Sequence, residues 1–142
     1  MNTNDLNFGI FIKLIPLEHL RVSEAFCQQH VDELVTQILD KKAWSHPILV
    51  ERKSNVILDG HHRFEAAKIL KLTKIPCMVI DYNNPKISVS CWNTGIKLDK
   101  DQIISQSVQG VLLERKSTRH HLDINIPVLC DFSVSDLMGD TL

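Results

Sequence analysis

The chain changes period abruptly at residue 60. Asn55-Val56-Ile57-Leu58-Asp59 is a short apolar run of strand length. Beyond Gly60, the residues Phe64, Ala67 and Leu70 recur at the spacing that gathers apolar side chains on one side of a helix. A strand delivered through one glycine into a helix needs a sharp turn, and it commits the chain to folding a helix back onto a sheet. Just upstream, Pro47-Ile48-Leu49-Val50-Glu51 is a second apolar run, separated from the first by the polar Arg52-Lys53-Ser54. The two runs read as a hairpin whose second strand ends at the turn.

The remaining pattern supplies partners for that unit. Ile10 to Ile15 reads as a first strand closed by Pro16, and 16–26 as a loop or short turns. Val31, Leu34, Val35, Ile38 and Leu39 fall at i, i+3, i+4, i+7 and i+8, which predicts an amphipathic helix over 31–42, with Trp44 sealing its packing. Ile75 to Ile80 reads as a core strand, and Pro76 argues for an edge or a strand start. Further on, 87–92 is a candidate strand, and Asp99 is an N-cap for a helix over 100–109 with Gly110 as its stop. Residues 1–9 read as a loose N-terminus, and 124–142 carries little signal.

With 142 residues and 44% hydrophobic content, the chain has material for one core and is short for two. Sixteen Lys and Arg against seventeen Asp and Glu give a net charge of -1, which offers no global attraction for a polyanion, so nucleic acid is an unlikely partner. Cys27, Cys77, Cys91 and Cys130 form no CxxC pair, and no secretory leader is read at the N-terminus. The expectation is a cytoplasmic chain with reduced thiols. Its apolar runs fall far short of the roughly 20 residues needed to span a bilayer.

The turn Asp59-Gly60-His61-His62-Arg63 is where chemistry concentrates. The first helical turn leaves backbone N–H groups without intrahelical partners, Gly60 permits close approach of a ligand, and His62 and Arg63 add donors at the positive end of the helix. Phosphate is the natural occupant. Asp59 would hold Mg²⁺ between itself and phosphate oxygens, or orient a histidine. On pattern alone, an anion site and an ordinary solvated helix start both stay open. The turn is neither a Walker A loop nor the dinucleotide GxGxxG fingerprint. His61 and His62 diverge by about 100 degrees on a helix, which disfavours joint ligation of one metal ion. A second polar cluster, Glu114 to His121, concentrates cations and hydroxyls without apolar periodicity, and by itself reads as an exposed charged loop.

These residues carry a family likeness. Val56 to Lys68, continuing through Lys74-Ile75-Pro76-Cys77-Met78-Val79-Ile80, resembles the shared core of the ParB and sulfiredoxin superfamily, in which a G-x-x-R segment opens a helix and an Ile-Pro strand follows. Leu14 to Leu20 and Pro47 to Val50 fit the same pattern, so the likeness covers roughly residues 10–82. The doubled histidine resembles the free L-serine kinase branch. Sulfiredoxin would have a cysteine where His61 stands, and the partition branch reads Gly-Glu-Arg-Arg. Leu112 to His120 is similar to that kinase branch's C-terminal Lys-Thr/Ser-Thr-Arg-His segment, and Glu24 falls where the branch places its catalytic glutamate.

The resemblance implies an α/β (α+β) fold: a single compact domain with a small mixed sheet flanked by helices. Its core would span 10–82, with 83–142 an extension packed on the core and completing the pocket. It implies a small-molecule kinase that uses ATP or ADP with Mg²⁺ to phosphorylate free L-serine. Glu24 would be the general base, and Asp59 and His61 would be catalytic, with Asp59 the metal ligand. Gly60, His61, His62 and Arg63 would hold the nucleotide, and Ser117, Thr118, Arg119 and His120 would hold the substrate, the last two as cationic partners. The alternatives are a nucleotide-binding module of the DNA-partition or nuclease type, and a catalytically silent regulator with the same fold. Oligomeric state is not legible.

Overall fold

The computed structural model describes residues 11–90, 95–112, 118–122 and 130–138. Ser117, Cys91, Trp92 and the loose N-terminus expected over 1–9 lie outside them. The main sheet has four strands: β1 (Phe11–Pro16), β3 (Ile48–Glu51), β4 (Ile57–Asp59) and β5 (Lys74–Ile80), in the order β1-β5-β3-β4. β1 runs antiparallel to β5, β5 parallel to β3, and β3 antiparallel to β4, so the sheet is mixed. The hairpin read from sequence is present, and its turn is organised by buried Glu51, whose Oε1 accepts from the N–H groups of Lys53 and Ser54 and from Ser54 Oγ.

β5 is an interior strand, not an edge. Pro76 is accommodated because it lies near the start: it faces Leu14 of β1, and β3 joins only at Cys77. Side chains then alternate between two apolar layers, as a strand's period of two requires. Val50, Ile57, Cys77 and Val79 face the helices, while Leu49, Leu58, Met78 and Ile80 face Tyr82 and Ile87 on the other side.

Two helices cover the first layer: α1 (Gln28–Lys41) and α2 (His61–Ile69). Val31, Leu34 and Ile38 are buried as the α1 stripe demands, Val35 is half-buried, and Leu39 is left 53% exposed. A two-stranded pair, β2 (Ala43–Trp44) with β8 (Phe132–Ser133), closes the far end of α1 and leaves Trp44 1% exposed, followed by the short α4 (Val134–Leu137). On the opposite side, β6 (Ile87–Ser90) pairs antiparallel with β7 (Arg119–Leu122). Between these two strands in the chain comes α3 (Lys100–Val108), capped by Asp99 accepting from the Asp101 N–H and followed by Gly110 at φ 80°. The strand expected over 87–92 and the helix expected over 100–109 are therefore present where described. Among the described residues, no helix is long and apolar enough to cross a membrane.

Candidate active site

The turn after β4 has one solution for its glycine. Gly60 sits at φ 101°, and a Cβ placed there would lie 2.6 Å from Ile48 Cγ2 and 2.9 Å from Ile48 Cβ. Only a residue without a side chain brings α2 this close to β3. Gly60 makes no side-chain cap, and the first intrahelical bond of α2 runs from the Phe64 N–H to the Gly60 carbonyl. The N–H groups of His61, His62 and Arg63 thus have no partner within the helix. They sit at its positive end, beside a cavity of about 170 Å³ bordered by Asp59 to Arg63.

A second stretch, 20–27, is laid against this turn by β4 itself. Arg21 bridges Val56 in parallel, with its N–H donated to Asn55 O at 2.9 Å and its carbonyl accepting from the Ile57 N–H at 2.7 Å. Ser23 Oγ donates to Ile57 O at 2.6 Å, and Ser107 Oγ of α3 donates to Val22 O at 2.6 Å. Glu24 is thereby carried into the cavity wall, 8% exposed. Thr118, just before β7, fastens its carboxylate: the Thr118 N–H and Oγ1–H both donate to Glu24 Oε1, at 2.9 and 2.7 Å. The other oxygen, Oε2, lies 3.9 Å from His61 Nδ1.

His61 is 5% exposed, and burial, helped by neighbouring His62, drives its ring down to about 4, so it is neutral near pH 7. Its Nε2 receives the N–H groups of Ser23 and Glu24 at 3.0 and 3.1 Å. His62 stacks on His30, ring centroids 4.3 Å apart, and its Nε2 receives the Cys27 N–H at 3.1 Å. Asp59 keeps its side chain at the solvent-facing mouth, yet the surrounding protein desolvates it enough to raise its carboxyl above the usual range, against the opposing pull of the Gly60 N–H and the Arg63 guanidinium. Arg63 borders this cavity and two others, one of about 70 Å³ beside Trp44 and Ser45 and one of about 220 Å³ beside Pro47 and His120.

A strand, an obligatory glycine and a helix start facing a buried carboxylate can hold an anionic group and present a base to its neighbour. Residues 7–90, more than half of the chain, match the ParB N-terminal domain family. The chain belongs to that family. Among curated proteins, this ParB N-terminal domain is 39% identical over 98 residues to a ParB-like protein of Sulfolobus acidocaldarius, covering 66% of this chain and 49% of that protein. It is 31% identical over 123 residues to an ATP-dependent L-serine kinase of Desulfurococcus mucosus, covering 82% of this chain and 48% of the kinase. Homology to the free L-serine kinases is thus evident in sequence, and the chain spans about half the length of the curated relatives it matches. Among solved structures, a free serine kinase in complex with AMP superposes with a TM-score of 0.79 at 13% identity, covering 89% of this chain and 93% of that one, which shows a shared fold.

The structure of this ParB N-terminal domain gathers Glu24, Asp59, Gly60, His61, His62, Arg63 and Thr118 around one cavity. His120 lies apart from that wall, lining the cavity of about 220 Å³ that shares Asp59 and Arg63. It contacts the Tyr82 hydroxyl through Nε2, and its Nδ1 is buried with no hydrogen-bond partner among the described residues. Burial, reinforced by His61, His121 and Lys100, drives this ring down to about 3. These surroundings favour the neutral ring of His120 near pH 7, where the sequence reading has a cationic partner. Arg119 is exposed on β7, facing Ser90 in register. Sequence reading missed His30 and Leu34, which line the cavity from α1, and Ser23, whose contacts position Glu24. A helical stripe read for burial gives no reason to single out His30, and a lone serine in a loop gives no signal at all.

Proposed function

We propose that this chain is a nucleotide-dependent small-molecule kinase that transfers a phosphoryl group to the hydroxyl of free L-serine. The observation that carries the reading is the placement of a buried, doubly fastened carboxylate, Glu24, across one small cavity from the helix start at Gly60. Phosphoryl transfer asks a protein for little covalent chemistry and much positioning: donor phosphates held, charge neutralised, an acceptor oxygen aligned and relieved of its proton. The N–H groups after Gly60 and the Arg63 guanidinium hold donor phosphate oxygens. The adjoining cavities that Arg63 borders leave room for the rest of a nucleotide. Glu24 accepts the serine hydroxyl proton, while Thr118 holds the carboxylate by Oε1.

Mg²⁺ fits this donor set in one way. Among the described residues no group of three or more His, Cys, Asp or Glu is arranged to hold a metal, while Asp59 offers a single carboxylate at the cavity mouth. One carboxylate plus substrate phosphates is a common arrangement for Mg²⁺, which dehydrates reluctantly and is seldom caged by protein alone. Asp59 would thus hold an ion that arrives with the nucleotide, and the ion would neutralise charge on the transferring group.

The test is a matrix of ATP and ADP against free amino acids with Mg²⁺, reading phosphoamino acids by mass. O-phosphoserine is expected with one or both donors. Glu24→Gln should slow transfer by about tenfold to ten-thousandfold while leaving nucleotide binding in place. No phosphoamino acid with either donor would overturn the kinase reading.

A further inference from the structure

We propose that His61 and His62 are positioning residues: their two Nε2 atoms act as hydrogen-bond acceptors that lock segment 23–27, and with it Glu24, onto the phosphate turn. A backbone N–H can only donate. An Nε2 that lies 3.0 Å from the Ser23 nitrogen and 3.1 Å from the Glu24 nitrogen must therefore present its lone pair, which places the ring proton of His61 on Nδ1. The Ser23 hydroxyl, also 3.1 Å from this Nε2, spends its proton on Ile57 O at 2.6 Å and does not alter the assignment. Nδ1–H then faces Glu24 Oε2 at 3.9 Å, so one ring grips the backbone at 23–24 with one nitrogen and faces the carboxylate with the other.

The same logic applies one residue on. His62 Nε2 lies 3.1 Å from the nitrogen of Cys27, the N-cap of α1, whose own side chain caps nothing. His62 thus satisfies a backbone donor at the start of α1 from the start of α2, and the His30 ring stacked on it fixes its plane. Successive residues on a helix point about 100 degrees apart, so one histidine could not reach both places. The doubling has a mechanical reason: two adjacent rings pin two points of one segment. The nitrogens that face the backbone are not available to phosphate, which leaves that task to the N–H groups of the turn and to Arg63.

The kinetic part of the test rests on the kinase reading, whereas the spectroscopic part does not. Long-range proton–nitrogen correlation spectra of uniformly labelled protein, with and without ADP and Mg²⁺, should show both rings neutral and protonated on Nδ1 in each condition. Amide hydrogen exchange should show Ser23, Glu24 and Cys27 protected. His61→Leu should accelerate exchange at 23 and 24, and His62→Leu at 27, each by roughly tenfold or more. His61→Gln, which offers an oxygen near the Nε2 position, should restore much of the protection. If serine is phosphorylated, His61→Leu should lower kcat by roughly tenfold or more while the nucleotide KM stays within about twofold. An Nε2-protonated ring on either residue, unprotected amides at these positions, or a raised nucleotide KM with kcat unchanged would overturn the proposal. Should His61→Leu fail to fold, His61→Gln and His62→Leu carry the same readouts. A protein that shows the acceptor tautomers and transfers no phosphate refutes the kinase alone.

Discussion

Gly60 and Arg63 show how differently two residues of one turn are constrained. At Gly60, a φ of 101° and a Cβ position 2.6 Å from Ile48 Cγ2 act together, and the contacts with Ile48 Cβ and Cα mean that no rotamer change relieves the clash. Gly60→Ala should cost about 2–4 kcal/mol from left-handed strain and overpacking combined, measured as a shift in the urea midpoint at constant slope. Arg63 bears on the proposed binding: if its guanidinium holds phosphate, Arg63→Ala should weaken ADP affinity by about 1.5–3 kcal/mol, read by calorimetric titration beside a thermal melt. Unchanged affinity in a folded variant would remove Arg63 from the phosphate site. Gly60 was legible in the sequence because a strand running into a helix through one residue needs a tight turn there. Ser23 was not legible, because its contacts reach Ile57 and His61, residues 34 and 38 positions away.

Among the elements, those marked by apolar period, or like α3 by a cap and a glycine stop, are legible in the sequence, and β7 is not. The hairpin and α2 follow from the pattern, as does most of α1. Yet α1 begins at Gln28, ahead of its first buried residue, Val31, because His62 receives the N–H of Cys27 from 35 positions away. β7 falls largely in the segment whose pattern reads as an exposed charged loop. It is a strand because β6 offers it a ladder, with Val89 facing His120 and Ser90 facing Arg119. Thr118, just before this strand, fastens Glu24, a contact with no sequence signal. Thr118→Val keeps the backbone bond and removes the hydroxyl bond of 2.7 Å to the carboxylate. A hydrogen bond to a charged acceptor is worth about 1.5–3 kcal/mol. The variant should therefore lose roughly tenfold or more in kcat with nucleotide affinity preserved. If only the KM for serine rises, Thr118 touches the substrate instead.

For the molecule as a whole, burial of neutral imidazoles ties stability to acidity. His61, facing Glu24 and His62, is driven down to about 4, and His120, facing Tyr82, His61, His121 and Lys100, to about 3, both from 6.5. The unfolded chain takes up these protons near its ordinary value while the folded chain does not, so the unfolded state binds more protons between the two. Stability should accordingly be fully present above the unfolded value and fall as pH drops through it, by up to about 1.4 kcal/mol per pH unit for each ring. Urea denaturation at about pH 7, 6 and 5 measures this slope. His120→Asn should flatten it by about half, and a profile equally steep without His120 would assign the effect elsewhere.

The distance along the chain between Glu24 and its fastening also has a meaning in time. The two residues are 94 positions apart, and the four strands of the main sheet, both helices on it and the turn at Gly60 all lie between Phe11 and Ile80, ahead of Thr118. A ribosome releases these parts first, while a domain generally folds as one unit. The carboxylate loop and the β4 strand that anchors it are thus synthesised before the residue that aims the carboxylate. Residues beyond Thr118 also belong to the framework, since Val134 and Leu137 pack in the main core and the Leu137 carbonyl accepts from the Thr73 N–H at 2.9 Å. Closing the core and fixing the carboxylate therefore both wait on the same late stretch of chain.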